Sequence, residues 1–131
     1  MPLQTKVYVE YEDKKLNGSS HFRNNDIPIT IEIVSDDNPT IQGSILSLVF
    51  THYAASSPVN ITKSTSGEGA NMTILESSFN RLVVTTNLLA SNLSTLPTNL
   101  PIRLDYRLNI TLPDTDTSLR TIEVGSLTSI P

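Results

Sequence analysis

Hydrophobic and polar residues alternate along most of the chain, as is typical of β-strands that bury one face. The longest alternation runs from Ile102 to Leu112, where every second residue is apolar. Another runs from Ile27 to Ile33, and its Pro28 predicts an edge strand or a first strand residue, because proline donates no ladder hydrogen bond. The segment from Ile45 to Tyr53 is apolar on both faces and predicts a central strand.

The remaining alternations are shorter and predict strands at 59–63, 72–75, 79–86 and 118–127. Turns rich in Asp, Asn, Gly and Pro separate them, since these residues favour turn conformations. Seven or eight short strands at this spacing predict an all-β fold, either an immunoglobulin-like β-sandwich or a barrel.

One stretch departs from the period of two. Leu89 and Leu93 have helical spacing, and Thr86 or Asn87 is available as an N-cap. The sequence therefore predicts one short helix of about two turns near residues 87–94.

The first strand stands apart from the others. Val7, Val9 and Tyr11 share one face, and residues 13–25 show no apolar periodicity. We therefore divide the chain into an N-terminal strand arm with its connection, 1–23, and a β-sandwich domain, 24–131. Such a strand either closes its own sheet or completes the sheet of a neighbouring copy, which makes these three residues a candidate assembly strand. Deleting residues 1–13 is then expected to abolish oligomerisation and leave a folded sandwich.

Charge and composition narrow the function. The net charge of −4 provides no positive field for nucleic acid or an anionic membrane, so neither is expected as a partner. Cysteine is absent, which excludes disulfides and thiolate metal sites and leaves the redox compartment undetermined. The first ten residues lack the pattern of a secretory signal, so we expect synthesis in the cytoplasm without export. Ser, Thr and Asn fill 43 of 131 positions, which predicts a surface solvated by neutral side chains that a partner can cover.

No residue pattern assigns a catalytic, cofactor or metal site. His21 and His52 stand alone in the sequence, and there is no G-x-S-x-G motif. The acidic residues at 36–37 and at 114 and 116 lie in turns, where Asp is favoured for its backbone bond, rather than in a calcium loop. There is no Trp and only 5% of residues are aromatic, which argues against a carbohydrate-binding module. We expect Tyr106 in the core or anchored through its hydroxyl.

From residue 24 onwards, the order of motifs resembles a small immunoglobulin-like domain of tailed bacteriophages, found in the N-terminal domain of baseplate upper proteins and in tail-associated or fibre-associated proteins. The matching segments are Asn25-Asp26-Ile27-Pro28, then 36–43 with the strand Ile45 to Phe50, Leu96-Pro97, 104–108, and 125–130. Two regions depart from that pattern: 98–101 replaces a glycine, and the first 23 residues have no counterpart.

The resemblance implies a non-enzymatic virion protein, an adaptor or decoration domain in the tail, baseplate or fibre attachment region. Its implied partners are copies of itself, as a homo-oligomer, and other virion proteins. Two alternatives stay open: a capsid cement or decoration protein, and a module that recognises a receptor or a glycan.

Overall fold

Nine β-strands and one 3₁₀ turn make up the computed structural model, which describes residues 3–9, 14–35, 41–53, 59–66, 71–78, 80–94, 96, 99–112 and 119–131. The strands are β1 (Leu3–Val9), β2 (Ser20–Phe22), β3 (Ile27–Ser35), β4 (Ile45–His52), β5 (Val59–Ser64), β6 (Thr73–Ser77), β7 (Arg81–Leu88), β8 (Ile102–Thr111) and β9 (Leu119–Ile130).

The strands form two sheets that pack as a sandwich. One has the order β1-β3-β7-β6 and the other β2-β9-β8-β4-β5. The first order corresponds to strands A, B, E and D of an immunoglobulin domain, and β9-β8-β4-β5 corresponds to G, F, C and C′. The immunoglobulin-like β-sandwich is therefore confirmed, and the barrel is not formed.

Alternation correctly predicted the long strands. Every apolar residue from Ile102 to Leu112 in the β8 pattern is at most 5% exposed, and β4 lies inside its sheet between β8 and β5. Pro28 is the second residue of β3, which is an interior strand rather than an edge strand. The proline is tolerated there because the pairing with β1 ends at Ile29, one residue beyond it.

Two predictions need correction. The predicted helix near 87–94 is a single 3₁₀ turn, Ala90–Leu93, because Thr86 and Asn87 belong to β7 and pair with β3. The strand count is nine rather than seven or eight, because β2 forms inside the stretch predicted as a connection and pairs in parallel with β9. Together with β1, it places two strands of segment 1–23 within the sheets of the sandwich.

The centre of the core is aromatic. The rings of Phe50 on β4 and Tyr106 on β8 have centroids 6.3 Å apart and are tilted by 54°, a favourable geometry for two aromatic rings. Tyr106 is 1% exposed and lies opposite Gly125 of β9. A Cβ at Gly125 would lie 2.6 Å from the tyrosine hydroxyl oxygen and 2.8 Å from Oδ1 of Asn17. Glycine is therefore required there by close approach.

Gly125→Ala should lower the free energy of unfolding by about 1–3 kcal/mol, because the added methyl group overpacks against a buried ring. Urea denaturation measures this change. Tyr106→Phe removes the hydroxyl oxygen nearest to the new Cβ, so Gly125→Ala should be less destabilising in the Tyr106→Phe background than in the wild type. Equal losses in both backgrounds would contradict the contact.

Candidate assembly surface

The candidate assembly strand lies within its own domain in this structure. Val7 and Val9 are 5% and 7% exposed and belong to the core, whereas Tyr11 lies outside the described residues. β1 pairs antiparallel with β3 from Leu3 to Val9, so it closes the sheet of its own chain, one of the two arrangements left open by the sequence. Deleting residues 1–13 would uncover apolar core, so we now expect that deletion to lower stability rather than to leave the sandwich intact.

The outer edge of β1 is partly covered by the chain that follows it. The main-chain N–H of Val9 donates to Lys14 O at 2.8 Å, and the N–H of Leu16 donates to Val7 O at 3.0 Å. We call residues 14–16 the return segment. It satisfies the edge of β1 at its C-terminal half, and its Leu16 is fully buried in the core.

The return segment leaves β1 at Asn17 and Gly18. Gly18 has a φ of +81°, which glycine adopts without strain, and its N–H donates to Ser126 O at 2.7 Å. Oδ1 of Asn17 accepts the N–H of Ser126 at 3.0 Å. This turn therefore carries the chain from β1 in the first sheet to β9 in the second, where β2 begins.

A carboxylate joins the two sheets at the same place. Glu123 of β9 pairs with the inward-facing Leu108, so its side chain lies on the inner side of the sheet. Its Oε1 accepts the hydroxyl of Thr5 on β1 at 2.9 Å, and its Oε2 accepts the hydroxyl of Tyr106 at 3.2 Å. Burial, followed by the charge of Glu123 and the hydrogen bond to it, raises the pKa of Tyr106, so this hydroxyl stays a donor. No sequence pattern predicts this contact, since Thr5 and Glu123 are 118 positions apart.

The other sheet edges are blunted as well. β2 has only three residues. At the edge of β5, Asn71 bonds Ser64 through its side chain, 2.8 Å, and its main chain, 3.0 Å. β6 contains a bulge between Ile74 and Glu76. Short edges, covering groups and bulges hinder the addition of a strand from another molecule, so association through these edges is disfavoured.

The outer face of the five-stranded sheet is neutral and polar along β4 and β5, as the composition predicted, whereas β8 carries Arg103 and Asp105, an ion pair of 3.0 Å, and Arg107 on the same side. We call the uncharged outward positions, on β4 and β5 and at the Asn109–Thr121 pair, the neutral face. Its hydroxyls and amides pair with each other across strands: Thr51 donates to Oδ1 of Asn60 at 2.8 Å, and Thr121 donates to Oδ1 of Asn109 at 2.7 Å. The other Ser and Thr residues at outward register positions of β4, β5, β8 and β9 are Ser47, Thr62, Ser64, Thr111, Ser126 and Thr128. A partner that covers the paired hydroxyls and amide oxygens leaves those bonds in place and has to match only the remaining polar groups.

The outer face of the four-stranded sheet carries a cluster of three charged side chains. Arg81 of β7 forms ion pairs of 2.8 Å with Glu32 of β3 and Glu76 of β6. These carboxylates raise the pKa of Arg81, with the hydrogen bond to Glu32 the largest cause. Covering this face would require the desolvation of three charged side chains, so the neutral face is the better candidate for an interface.

Several large apolar side chains are exposed. Phe22 and Tyr53 are 58% and 65% exposed, so two of the aromatic residues lie on the surface rather than in the core. Val124, 63% exposed, pairs with the outward-facing Arg107 on the outer face of the five-stranded sheet. Leu75, 62% exposed, lies at the bulge of β6. Single exposed apolar residues are common on protein surfaces, so these residues do not by themselves indicate an interface.

The geometry at His21 does not suit nucleophilic catalysis. The Ser19 hydroxyl donates its only proton to Leu16 O at 2.6 Å, so Nε2 of His21, 2.8 Å from Ser19 Oγ, must be the donor between them. The histidine therefore cannot accept the serine proton in this arrangement. Burial, and then the charge of Lys14, lowers the pKa of His21.

His52 is the last residue of β4. Among the described residues, the hydrogen bond of the His21 ring is to Ser19 and not to His52. The described part of the chain contains no group of three or more His, Asp or Glu residues able to hold a metal ion. The acidic pairs at 36–37 and at 114 and 116, and the glycines at 67 and 69, lie outside the described residues.

A buried lysine is the least expected side chain of the core. Lys63 pairs with the inward-facing Leu48 and is 4% exposed. Its Nζ donates to Oδ1 of Asn92 at 2.8 Å, and the same oxygen accepts the N–H of Leu89 at 2.8 Å. Burial lowers the pKa of Lys63. The contact connects β5 to the 3₁₀ turn, and no sequence pattern predicts that this lysine is buried.

The stability of the protein should therefore rise with pH as the solution approaches the ordinary lysine pKa of 10.5. Between the lowered pKa of folded Lys63 and 10.5, the unfolded chain binds more protons than the folded chain, so the free energy of unfolding increases with pH. Lys63→Met should lack this pH dependence. The variant should be more stable than the wild type at lower pH, where the buried lysine is charged, and this difference in the free energy of unfolding should shrink as pH rises. Urea denaturation across this range tests the slope, and Lys14→Met, at an exposed lysine, should retain it.

Comparison with known proteins assigns no family. No family model matches the chain, and no curated protein matches it. The described residues contain no helix long and apolar enough to cross a membrane.

Three solved structures are similar in overall arrangement. The major subunit of aggregative adherence fimbriae type I from Escherichia coli has a TM-score of 0.43 at 8% identity, over 98% of this chain and 95% of that one. A Mobiluncus mulieris adhesin with disulfide, isopeptide and ester cross-links has a TM-score of 0.38 at 10% identity, over 98% and 56%. A putative late embryogenesis abundant protein has a TM-score of 0.32 at 16% identity, over 96% and 68%. Since all three TM-scores are below 0.5, the fold assignment rests on the sheets of this chain itself.

Proposed function

We propose that this chain is a non-enzymatic structural protein that assembles with copies of itself and with other proteins of a larger particle. The observation that carries the proposal is the self-paired polar face of the five-stranded sheet. There, the Thr51–Asn60 and Thr121–Asn109 bonds satisfy groups that a partner would otherwise have to match. Covering such a face costs less than covering charged side chains.

The structure changes how this assembly would occur. Strand addition through the N-terminal arm was one expected route, but β1 completes its own sheet and the edges of β2, β5 and β6 are short, covered or bulged. Contact between sheet faces is the route that remains favoured for copies of the same chain. Contacts of this kind need shape and polar complementarity rather than open backbone groups.

The particle that we propose is a bacteriophage virion, and the site within it is the tail, baseplate or fibre attachment region. This part of the proposal is supported by the resemblance of the segments from Asn25 onwards to phage immunoglobulin-like domains. A capsid cement or decoration protein would use the same neutral face at a different place in the virion.

A receptor-recognition or glycan-recognition module is the second candidate, and Tyr53 favours it. This tyrosine is 65% exposed at the end of β4, and the face of an exposed aromatic ring can stack on a sugar. A glycan array should then show saturable binding that Tyr53→Ala abolishes. Absence of binding on the array, or binding that Tyr53→Ala leaves unchanged, would contradict this candidate.

Self-association through the neutral face is tested by light scattering of the full chain over a range of concentrations. Thr62→Glu places a charge on that face and should weaken association about tenfold, because a carboxylate must then be desolvated at the interface. The matched control is Thr73→Glu. Thr73 is also an exposed, outward-facing threonine of an edge strand, but its strand, β6, belongs to the four-stranded sheet. A monomeric wild type at all concentrations would refute the proposed self-association, and equal effects of the two variants would refute the assigned face.

A further inference from the structure

Among the described residues, the N-terminal half of β1 presents a stretch of open sheet edge. The N–H of Val9 and the C=O of Val7 point towards the return segment, as their hydrogen bonds show. Backbone groups alternate in direction along a strand, so the N–H and C=O of Thr5 point to the same side. The return segment departs at Asn17, and no described residue bonds the main chain of Thr5 on that side.

A groove lies beside this open edge. It has a volume of about 700 Å³, and its walls are β1 on one side and Glu123 and Val124 of β9 on the other. Asn17, at the departure of the return segment, closes one end. A volume of this size is within the range of sites that bind a ligand or a short peptide segment.

The rim of the groove is basic although the protein is acidic. Lys6 and Lys15 line it with exposed side chains, and neither forms an ion pair with a described residue. Glu123 is the only acidic residue among those that line it, and both of its oxygens already accept hydroxyl protons from Thr5 and Tyr106. With two lysines against one carboxylate, the residues that line the groove carry a net positive charge.

We propose that this groove binds an extended acidic segment of a partner protein, which adds as a short strand to β1 along the line of the return segment. An extended peptide supplies the alternating donors and acceptors that the main chain of Thr5 requires, and acidic side chains pair with Lys6 and Lys15. The inference rests on the proposed function and names the chemistry of one partner. That partner is distinct from the second copy that would cover the neutral face.

The probe is the blocked peptide acetyl-Glu-Thr-Glu-Val-Glu-Thr-amide, titrated into the full 131-residue chain and followed by amide chemical shifts. We expect saturable shifts at Thr5 and Val7. The double variant Lys6→Glu/Lys15→Glu should weaken binding about tenfold or more, because two attractions become repulsions. Lys14→Glu changes an exposed lysine outside the groove and should alter the affinity less than about twofold.

Two further ligands distinguish strand addition from binding by charge alone, and a peptide from an anionic glycan, without a change in the protein. The same peptide with N-methylated backbone amides keeps its charge but loses strand hydrogen bonds, so it should bind about tenfold more weakly. Equal binding of the methylated peptide would overturn strand addition. A heparin oligosaccharide that displaces the peptide and binds more tightly would overturn the peptide assignment in favour of an anionic glycan.

Absence of saturable shifts at Thr5 and Val7 would overturn the inference altogether. The proposed function would survive that result if the wild type still self-associates and Thr62→Glu still weakens the association, since Thr62 lies on β5, three strands from β9 and outside the residues that line the groove. The two failures are therefore distinguishable.

Discussion

The arrangement of β1, the return segment and β2 depends on the turn at Asn17 and Gly18, where the chain passes from one sheet to the other. Up to this turn the chain satisfies the edge of β1, and after it the chain satisfies the edge of β9. Only a residue that tolerates a positive φ allows the change of sheet within so short a distance. The Glu123 carboxylate secures the same crossing, because it binds one hydroxyl from β1 and another from β8.

The parts of the fold predicted from the sequence are those where burial repeats with period two. β8, β4 and β3 each bury a continuous row of apolar side chains, so their pattern alone identifies them. β2 escaped prediction because its three residues are exposed or half-buried and depend on pairing with β9. The predicted helix was longer than the observed 3₁₀ turn, because the pairing of Leu88 with Ile27 extends β7 into residues whose spacing favours a helix.

The candidate site was predicted only in part, for the same physical reason. The neutral outer face follows from composition and alternation, which are local properties. The covered part of β1, the buried Lys63 and the Glu123 contact depend on residues distant in the sequence, such as Asn92 for Lys63. Hydrogen bonds between residues distant in the sequence produce no periodic pattern of hydrophobic and polar residues. Val7 and Val9 were correctly grouped on one face, but the pattern could not distinguish a face that packs on its own core from one that packs on a neighbour.

In the proposed assembly, edge and face contacts have different roles. The short, covered or bulged stretches at the edges of β2, β5 and β6 disfavour the addition of a strand from another copy. The open stretch beside Thr5 is flanked by Lys6 and Lys15, which repel basic segments and attract acidic ones. Broad contact through a neutral face then gives repetition, whereas a short charged edge gives selectivity. A structural protein that must join copies of itself and also a different partner needs both.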